Sequence, residues 1–228
     1  MSSNHGHHHD HDHDHDHDHA HGHDHPHSPP APDDDDGYDR YEVLLQTAIR
    51  ELLDEKGIIS AAELHAQIDK QDSLSPAIGG KVVAKAWVDP VFKKQLLADP
   101  LKTINQHFEL DIITPLELVV LENTPTVHNV VVCTLCSCYP RMLLGIPPAW
   151  YKSLDYRSRV VVEPRKVLAE FGTTIPNDVE VRVSDSTADL RFLVLPNRPN
   201  GTQGMSEAQL ADLVTRDSMI GTSVALQP

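Results

Sequence analysis

Val130-Val131-Val132-Cys133-Thr134-Leu135-Cys136-Ser137-Cys138-Tyr139-Pro140 holds all three cysteines of a 228-residue chain. The valines read as a buried strand, the cysteines as the tight turn that ends it, and Pro140 as the residue that blocks continuation. Three sulfurs within six residues must converge, because the backbone between them is too short to spread them. Thiolates select soft or borderline metals. A structural zinc site takes four ligands, and the stretch offers three sulfurs, with His128 on the incoming strand as a fourth candidate. A disulfide would use two cysteines and leave one over. In a third arrangement the backbone amides of Ser137 and Cys138, once deprotonated, add two in-plane nitrogen donors. Five ligands then suit a six-coordinate trivalent metal with one open position, which a catalytic site requires.

Outward from the turn, Leu116 to Leu121 and Val127 to Val132 read as strands around a turn at Asn123-Thr124-Pro125. His128 on the second of them reads as a packed or surface histidine rather than a ligand. Pro148 to Val162 reads as mostly helical, and Pro164 opens a further helix that Gly172 closes. Asp178 to Val183 and Leu190 to Leu195 read as two more strands around a loop at Asp185-Ser186-Thr187-Ala188. Asp189 and Arg191 flank Leu190 and so share one strand face, where an exposed ion pair contributes little. Ser206-Glu207-Ala208-Gln209 is a capping box that opens a short helix.

On the N-terminal side the pattern is helical. Leu44, Leu45, Ala48, Ile49, Leu52 and Leu53 recur at three- and four-residue spacing, and Gly57 stops that helix. Ser60-Ala61-Ala62-Glu63 is a capping box for a second helix, 73–80 reads as a linker, Lys81 begins another helix, and Asp89-Pro90 opens one more. These helices have too small a core of their own, so they are expected to pack on the rest of the chain or on a partner. The expected organisation is a tail over 1–37, a helical arm over 38–112 and an αβ catalytic domain over 113–228.

The tail stands apart. Thirteen of the sixteen histidines lie between His5 and His27, mostly alternating with aspartate. Such a segment has almost nothing to bury and is expected to be disordered. Imidazole binds Co²⁺, Ni²⁺ and Zn²⁺, so metal capture is the functional reading, preferred to a purification tag, with a passive solubilising tail as the other reading. The ten aspartates in 1–36, with no Lys or Arg there, account for −10 of the net charge of −15. The remainder is mildly acidic, which argues against a nucleic-acid partner. No apolar run approaches the ~18 residues of a membrane span. A polar N-terminus without an apolar h-region, and cysteines confined to one cluster, lead to the expectation of a reducing cytoplasm.

Val131-Val132-Cys133-Thr134-Leu135-Cys136-Ser137-Cys138 closely resembles the metal motif of nitrile hydratase α subunits. The resemblance extends to Glu122-Asn123-Thr124-Pro125-Thr126-Val127-His128-Asn129, to Gly145-Ile146-Pro147-Pro148-Ala149-Trp150-Tyr151-Lys152 and to Val214-Thr215-Arg216-Asp217-Ser218-Met219-Ile220-Gly221. The thiocyanate hydrolase γ subunit shares the same core and is the rival. The resemblance implies an α+β fold with a layered αββα domain carrying the metal loop. It implies a lyase that hydrates a small nitrile to an amide at a non-corrin trivalent metal, in an αβ heterodimer. Cys133, Cys136 and Cys138, with the amides of Ser137 and Cys138, would be the ligands. Cys136 would be a sulfinic acid and Cys138 a sulfenic acid. Either metal-bound hydroxide or the Cys138 sulfenate oxygen would attack the nitrile carbon, with the Ser137 hydroxyl orienting the substrate. Thr134 goes with cobalt(III) in this family and Ser with iron(III), which is the alternative. Asp189 and Arg191 would steady the site, although the usual acid is Glu. Arg141-Met142 stands where nitrile hydratases show Trp-Pro, and an arginine at Arg141 favours an anion such as thiocyanate. Expected partners are a β subunit and a metallochaperone. The reading from a different class is a non-catalytic metal-binding or metal-delivery protein.

Overall fold

Aspartate followed by proline starts two consecutive helices. Asp89 caps α4 (Pro90–Ala98), its carboxylate accepting from the Val91 and Phe92 N–H groups at 2.9 Å each. Asp99 does the same for α5 (Pro100–Phe108), a helix the sequence reading lacked. In both, proline fills the first helical position, where its missing N–H costs nothing. The computed structural model describes residues 40–110, 112 and 114–228; the His/Asp-rich stretch at 1–37, expected to be disordered, lies outside the described residues.

Helix α1 (Arg40–Glu55) ends ahead of Gly57, which takes φ +65°, and Ser60 and Glu63 form the expected capping interaction ahead of α2 (Ala61–Asp72). Helix α3 runs Ala77–Val88, so the linker expected over 73–80 is corrected: its last four residues are helical. Two glycines lie in that helical stretch, and a Cβ at Gly79 would sit 2.7 Å from Met219 Sδ, so Gly79 admits close packing. Val82, Val83, Phe92, Leu96 and Ile104 of α3–α5 share one buried cluster with Leu118, Val120, Val130, Val131, Val132, Leu193 and Leu195 of the strands. Helices α1 and α2 stay outside that cluster, and Leu44, Leu45, Ile49 and Leu52 of α1 are exposed.

The described strands are β1 (Glu117–Glu122), β2 (Val127–Val132), β3 (Glu180–Asp185) and β4 (Leu190–Leu195). The two strands on either side of each short loop, β1 with β2 and β3 with β4, do not pair with one another. β1 runs parallel to β4, with Val119 opposite Phe192, and β2 runs parallel to β3, with Val130 opposite Val183. The turn after β1 makes an isolated bridge, Thr124–Val127, and the Asn129 side chain of β2 donates to the Glu122 carbonyl of β1 at 2.9 Å. Parallel pairing needs a long crossover, and β2 reaches β3 through α6 (Arg141–Leu144), α7 (Ala149–Lys152), α8 (Leu154–Arg159) and α9 (Pro164–Glu170). β2 is buried along nearly its whole length, His128 and Asn129 included, and Val130, Val131 and Val132 form its apolar end. α4 and α5 pack on β1, β4 on β2, and α9 on β3, giving the α+β fold its helix–sheet–sheet–helix layering.

Two short helices finish the chain. α10 (Glu207–Ala211) has the expected Ser206–Gln209 capping box and lies on α3. α11 (Arg216–Ile220) has a Thr215–Ser218 box and ends at Gly221, φ +93°, which presses against the Asn129 carbonyl. Among the described residues no helix is long and apolar enough to cross a membrane.

Candidate metal centre

β2 ends at Val132 and delivers Cys133 into the buried floor of a turn, while Cys136 is exposed and Cys138 half-buried. The three sulfurs lie within 4.8 Å of one another, the one such group of His, Cys, Asp or Glu ligand atoms among the described residues. Cys133 Sγ is 3.4 Å from Cys136 Sγ, which is 3.1 Å from Cys138 Sγ. A disulfide needs about 2.05 Å, so all three are free thiols.

Four side chains hold the turn from outside it. Asp185, at the end of β3, accepts from the Thr134 N–H at 2.9 Å and from the Thr134 hydroxyl at 2.6 Å. The Tyr156 hydroxyl, buried under α8, donates to the Val131 carbonyl at 2.7 Å. The Tyr151 hydroxyl, on α7, donates to the Cys138 carbonyl at 2.9 Å. Arg157 Nη1 donates to the Cys136 carbonyl at 3.2 Å. Tyr151 and Tyr156 belong to an aromatic group with Trp150 and Phe171, whose ring contacts lock both hydroxyls in direction.

The electrostatics separate the thiols. Hydrogen bonds from Cys138 and Cys133 lower the Cys136 pKa, and the Ser137 and Cys138 N–H groups reinforce this by pointing at the same sulfur. Desolvation, then the hydrogen bonds to Cys136 and Cys133, pushes Cys138 up to about 12. Three sulfurs that converge within 4.8 Å form a donor set that fits a soft or borderline metal ion. Loading it would expel the thiol protons.

His128 is buried on β2. Its Nε2 lies 2.7 Å from the Gly221 carbonyl and its Nδ1 3.3 Å from Asn123 Nδ2, and desolvation lowers its pKa. It is a packed histidine outside the sulfur group. A pocket of about 290 Å³ opens over the turn, lined by Cys136, Ser137, Cys138, Arg141, Met142 and Arg191 among others. Arg191 Nη1 donates to the carbonyls of Thr187, Ala188 and Leu190. Asp189 is exposed, its carbonyl accepting from the Glu117 N–H at 2.8 Å. No ion pair joins Asp189 to Arg191 among the described residues.

The family model described as nitrile hydratase, alpha chain, matches residues 40–223. The chain belongs to this nitrile hydratase alpha-chain family. It is 52% identical over 182 residues to the low-molecular weight cobalt-containing nitrile hydratase subunit alpha of Rhodococcus rhodochrous, covering 79% of this chain and 87% of that one. It is 45% identical over 191 residues to the thiocyanate hydrolase subunit gamma of Thiobacillus thioparus, covering 79% of each. An Fe-type nitrile hydratase double mutant from Comamonas testosteroni Ni1 superposes with a TM-score of 0.77 at 41% identity, covering 84% of this chain and 94% of that one. The nitrile hydratase α-chain family thus accounts for the fold and for the cysteine turn.

Sequence reasoning named the three cysteines, Ser137, Arg141 and Arg191, all of which border the turn or its pocket. It did not name Asp185, Tyr151, Tyr156 or Arg157 as its supports. Tyr151 and Tyr156 carried a signal, since a tyrosine in an otherwise apolar helix face needs a partner for its hydroxyl when buried. Asp185 carries only a loop signal in the sequence, and Arg157 carries none.

Proposed function

We propose that this chain is the α subunit of a nitrile hydratase, adding water to a nitrile to form an amide at a non-corrin cobalt(III) centre in a reducing cytoplasm. The observation that carries this reading is the convergence of three free sulfurs, two of which, Cys136 and Cys138, line an open pocket. Cys133, Cys136 and Cys138, with the backbone nitrogens of Ser137 and Cys138, would hold the metal, Cys136 as sulfinate and Cys138 as sulfenate. A trivalent ion bound there supplies Lewis-acid polarisation. The cobalt-containing relative at 52% identity and Thr134 support cobalt over iron. The chain's own residues bind and orient. Ser137 and Cys138 present polar groups to the substrate, Met142 an apolar wall, and Arg141 and Arg191 positive charge at the rim. Family membership supports a β subunit as partner. The His/Asp-rich stretch between His5 and His27 supports capture of the metal by the same chain.

A second reading is thiocyanate hydrolysis, favoured by two arginines on one pocket, since guanidinium groups attract an anion and do little for a neutral nitrile. The test is the chain co-produced with its partner subunit in cobalt medium and assayed on a neutral nitrile and on thiocyanate, as wild type and as Arg141→Trp. Amide formation by wild type is expected, with the substitution altering nitrile preference and little effect of salt. Efficient thiocyanate hydrolysis, with no amide from any small nitrile, would overturn the proposal.

A further inference from the structure

Two arginines two residues apart on α8 are treated differently. Arg159 is surrounded by Asp155, Glu163 and Glu170, an ordinary ion-pair network. Arg157 meets no carboxylate among the described residues. Its one hydrogen bond runs from Nη1 to the Cys136 carbonyl, and its Nε is buried without a partner. A half-buried guanidinium with no counter-charge is costly to keep, so an anionic neighbour in the working protein would explain why it is held there.

The carbonyl it touches belongs to the peptide whose nitrogen is that of Ser137. Amide resonance joins those two atoms electronically. When Ser137 donates to a metal through that nitrogen, the negative charge it carries is shared with the Cys136 oxygen, where Arg157 sits. The whole donor set gathers charge in the same way. One thiolate, one sulfinate, one sulfenate and two amide nitrogens carry five negative charges against three on a trivalent ion, so the loaded turn is net anionic and needs a cation beside it. Arg141 and Arg191 stand on the pocket side, whereas Arg157 approaches through a ligand peptide.

We infer that Arg157 is a positioning residue for the metal turn, fixing the Cys136–Ser137 peptide and balancing the charge of the loaded donor set. This rests on the metal-centre reading above. The test uses the full chain with its partner subunit in cobalt medium, as wild type, Arg157→Gln and Arg157→Lys. The readouts are the sulfur-to-cobalt charge-transfer absorption, its rate of loss to a chelator and reductant, and the melting temperature of the metal-free protein. Cobalt held by tail histidines gives no such band, because every cysteine lies in the turn. Arg157→Gln should lose the band about tenfold faster or more. Arg157→Lys, which keeps the charge without the planar fork, should fall between. The metal-free melting temperature should stay that of wild type. An unchanged band and loss rate in Arg157→Gln would overturn the inference alone, as would a metal-free melting temperature that falls in step with the loss rate, since that marks a purely structural role. A wild-type protein with no band would overturn the metal-centre reading and this inference with it.

Discussion

Replacing Asp185 by asparagine alters one group that makes two contacts. The carboxylate accepts from the Thr134 N–H at 2.9 Å and from its hydroxyl at 2.6 Å. A carboxamide of the same shape keeps one acceptor and turns an N–H donor toward the other contact. A hydrogen bond to a charged group contributes about 1.5–3 kcal/mol when shielded. Asp185 is exposed and Thr134 half-buried, and solvent screening brings the loss to about 1–2 kcal/mol. Spent on ordering the turn, that corresponds to roughly five- to thirty-fold weaker metal retention. Thr134→Val removes only the hydroxyl, so the two changes form a double-mutant cycle. Cobalt content after chelator challenge, measured for wild type, both single variants and the double variant, should give a coupling of about 1 kcal/mol. Additivity within about 0.3–0.5 kcal/mol would refute the idea that Asp185 acts on the turn through the Thr134 hydroxyl.

Cys133→Ala, Cys136→Ala and Cys138→Ala, each in a chain lacking residues 1–36 so that tail histidines hold no metal, should abolish stoichiometric cobalt and activity together; metal analysis showing one tight cobalt in any of them sinks the ligand assignment. Deleting residues 1–36 alone should leave maximal activity intact in cobalt-rich medium and lower occupancy only when cobalt is scarce, so equal occupancy under scarcity would remove the metal-capture role. His128 is held neutral, its folded pKa below the ordinary 6.5 because of desolvation, so its contribution to stability is present above that value and is lost as pH falls through and below it; denaturation midpoints from pH 7.5 to 5 should decline, and His128→Gln should flatten that decline. Gly221→Ala would place a Cβ 2.0 Å from the Asn129 carbonyl at φ +93°, costing about 3 kcal/mol or more, and an unchanged denaturant midpoint would contradict the geometry.

Local signals were readable in the sequence and pairings were not. Ser60, Asp89 and Ser206 opened helices where their capping chemistry required, and β1, β2 and β4 lie where apolar and β-branched residues run. Asp99-Pro100 has the same chemistry as Asp89-Pro90 yet went unread, and the Thr215 box was missed because its fourth residue is Ser rather than Glu or Gln. The turn at Asn123-Thr124-Pro125 invites a pairing of β1 with β2. The chain instead pairs each with a later strand, a choice made by burial on both faces that no short window reveals. The convergence of the sulfurs was legible because spacing alone forces it. Its supports were not, because Asp185, Tyr151, Tyr156 and Arg157 come from elements that only the crossover topology brings to the turn.

That topology also sets an order of events. The clamp on Thr134 is supplied from 51 residues further along the chain, and β2 lacks its partner until β3 has been made. Contacts so distant in sequence form late, after the loop between them has been closed at an entropic cost. A nascent chain that has just exposed its three cysteines therefore offers flexible thiols, open to any passing soft metal or oxidant, and becomes selective only once the following crossover has wrapped back. For this protein, the interval between synthesising Cys138 and docking β3 is the window in which the wrong ion can be taken up.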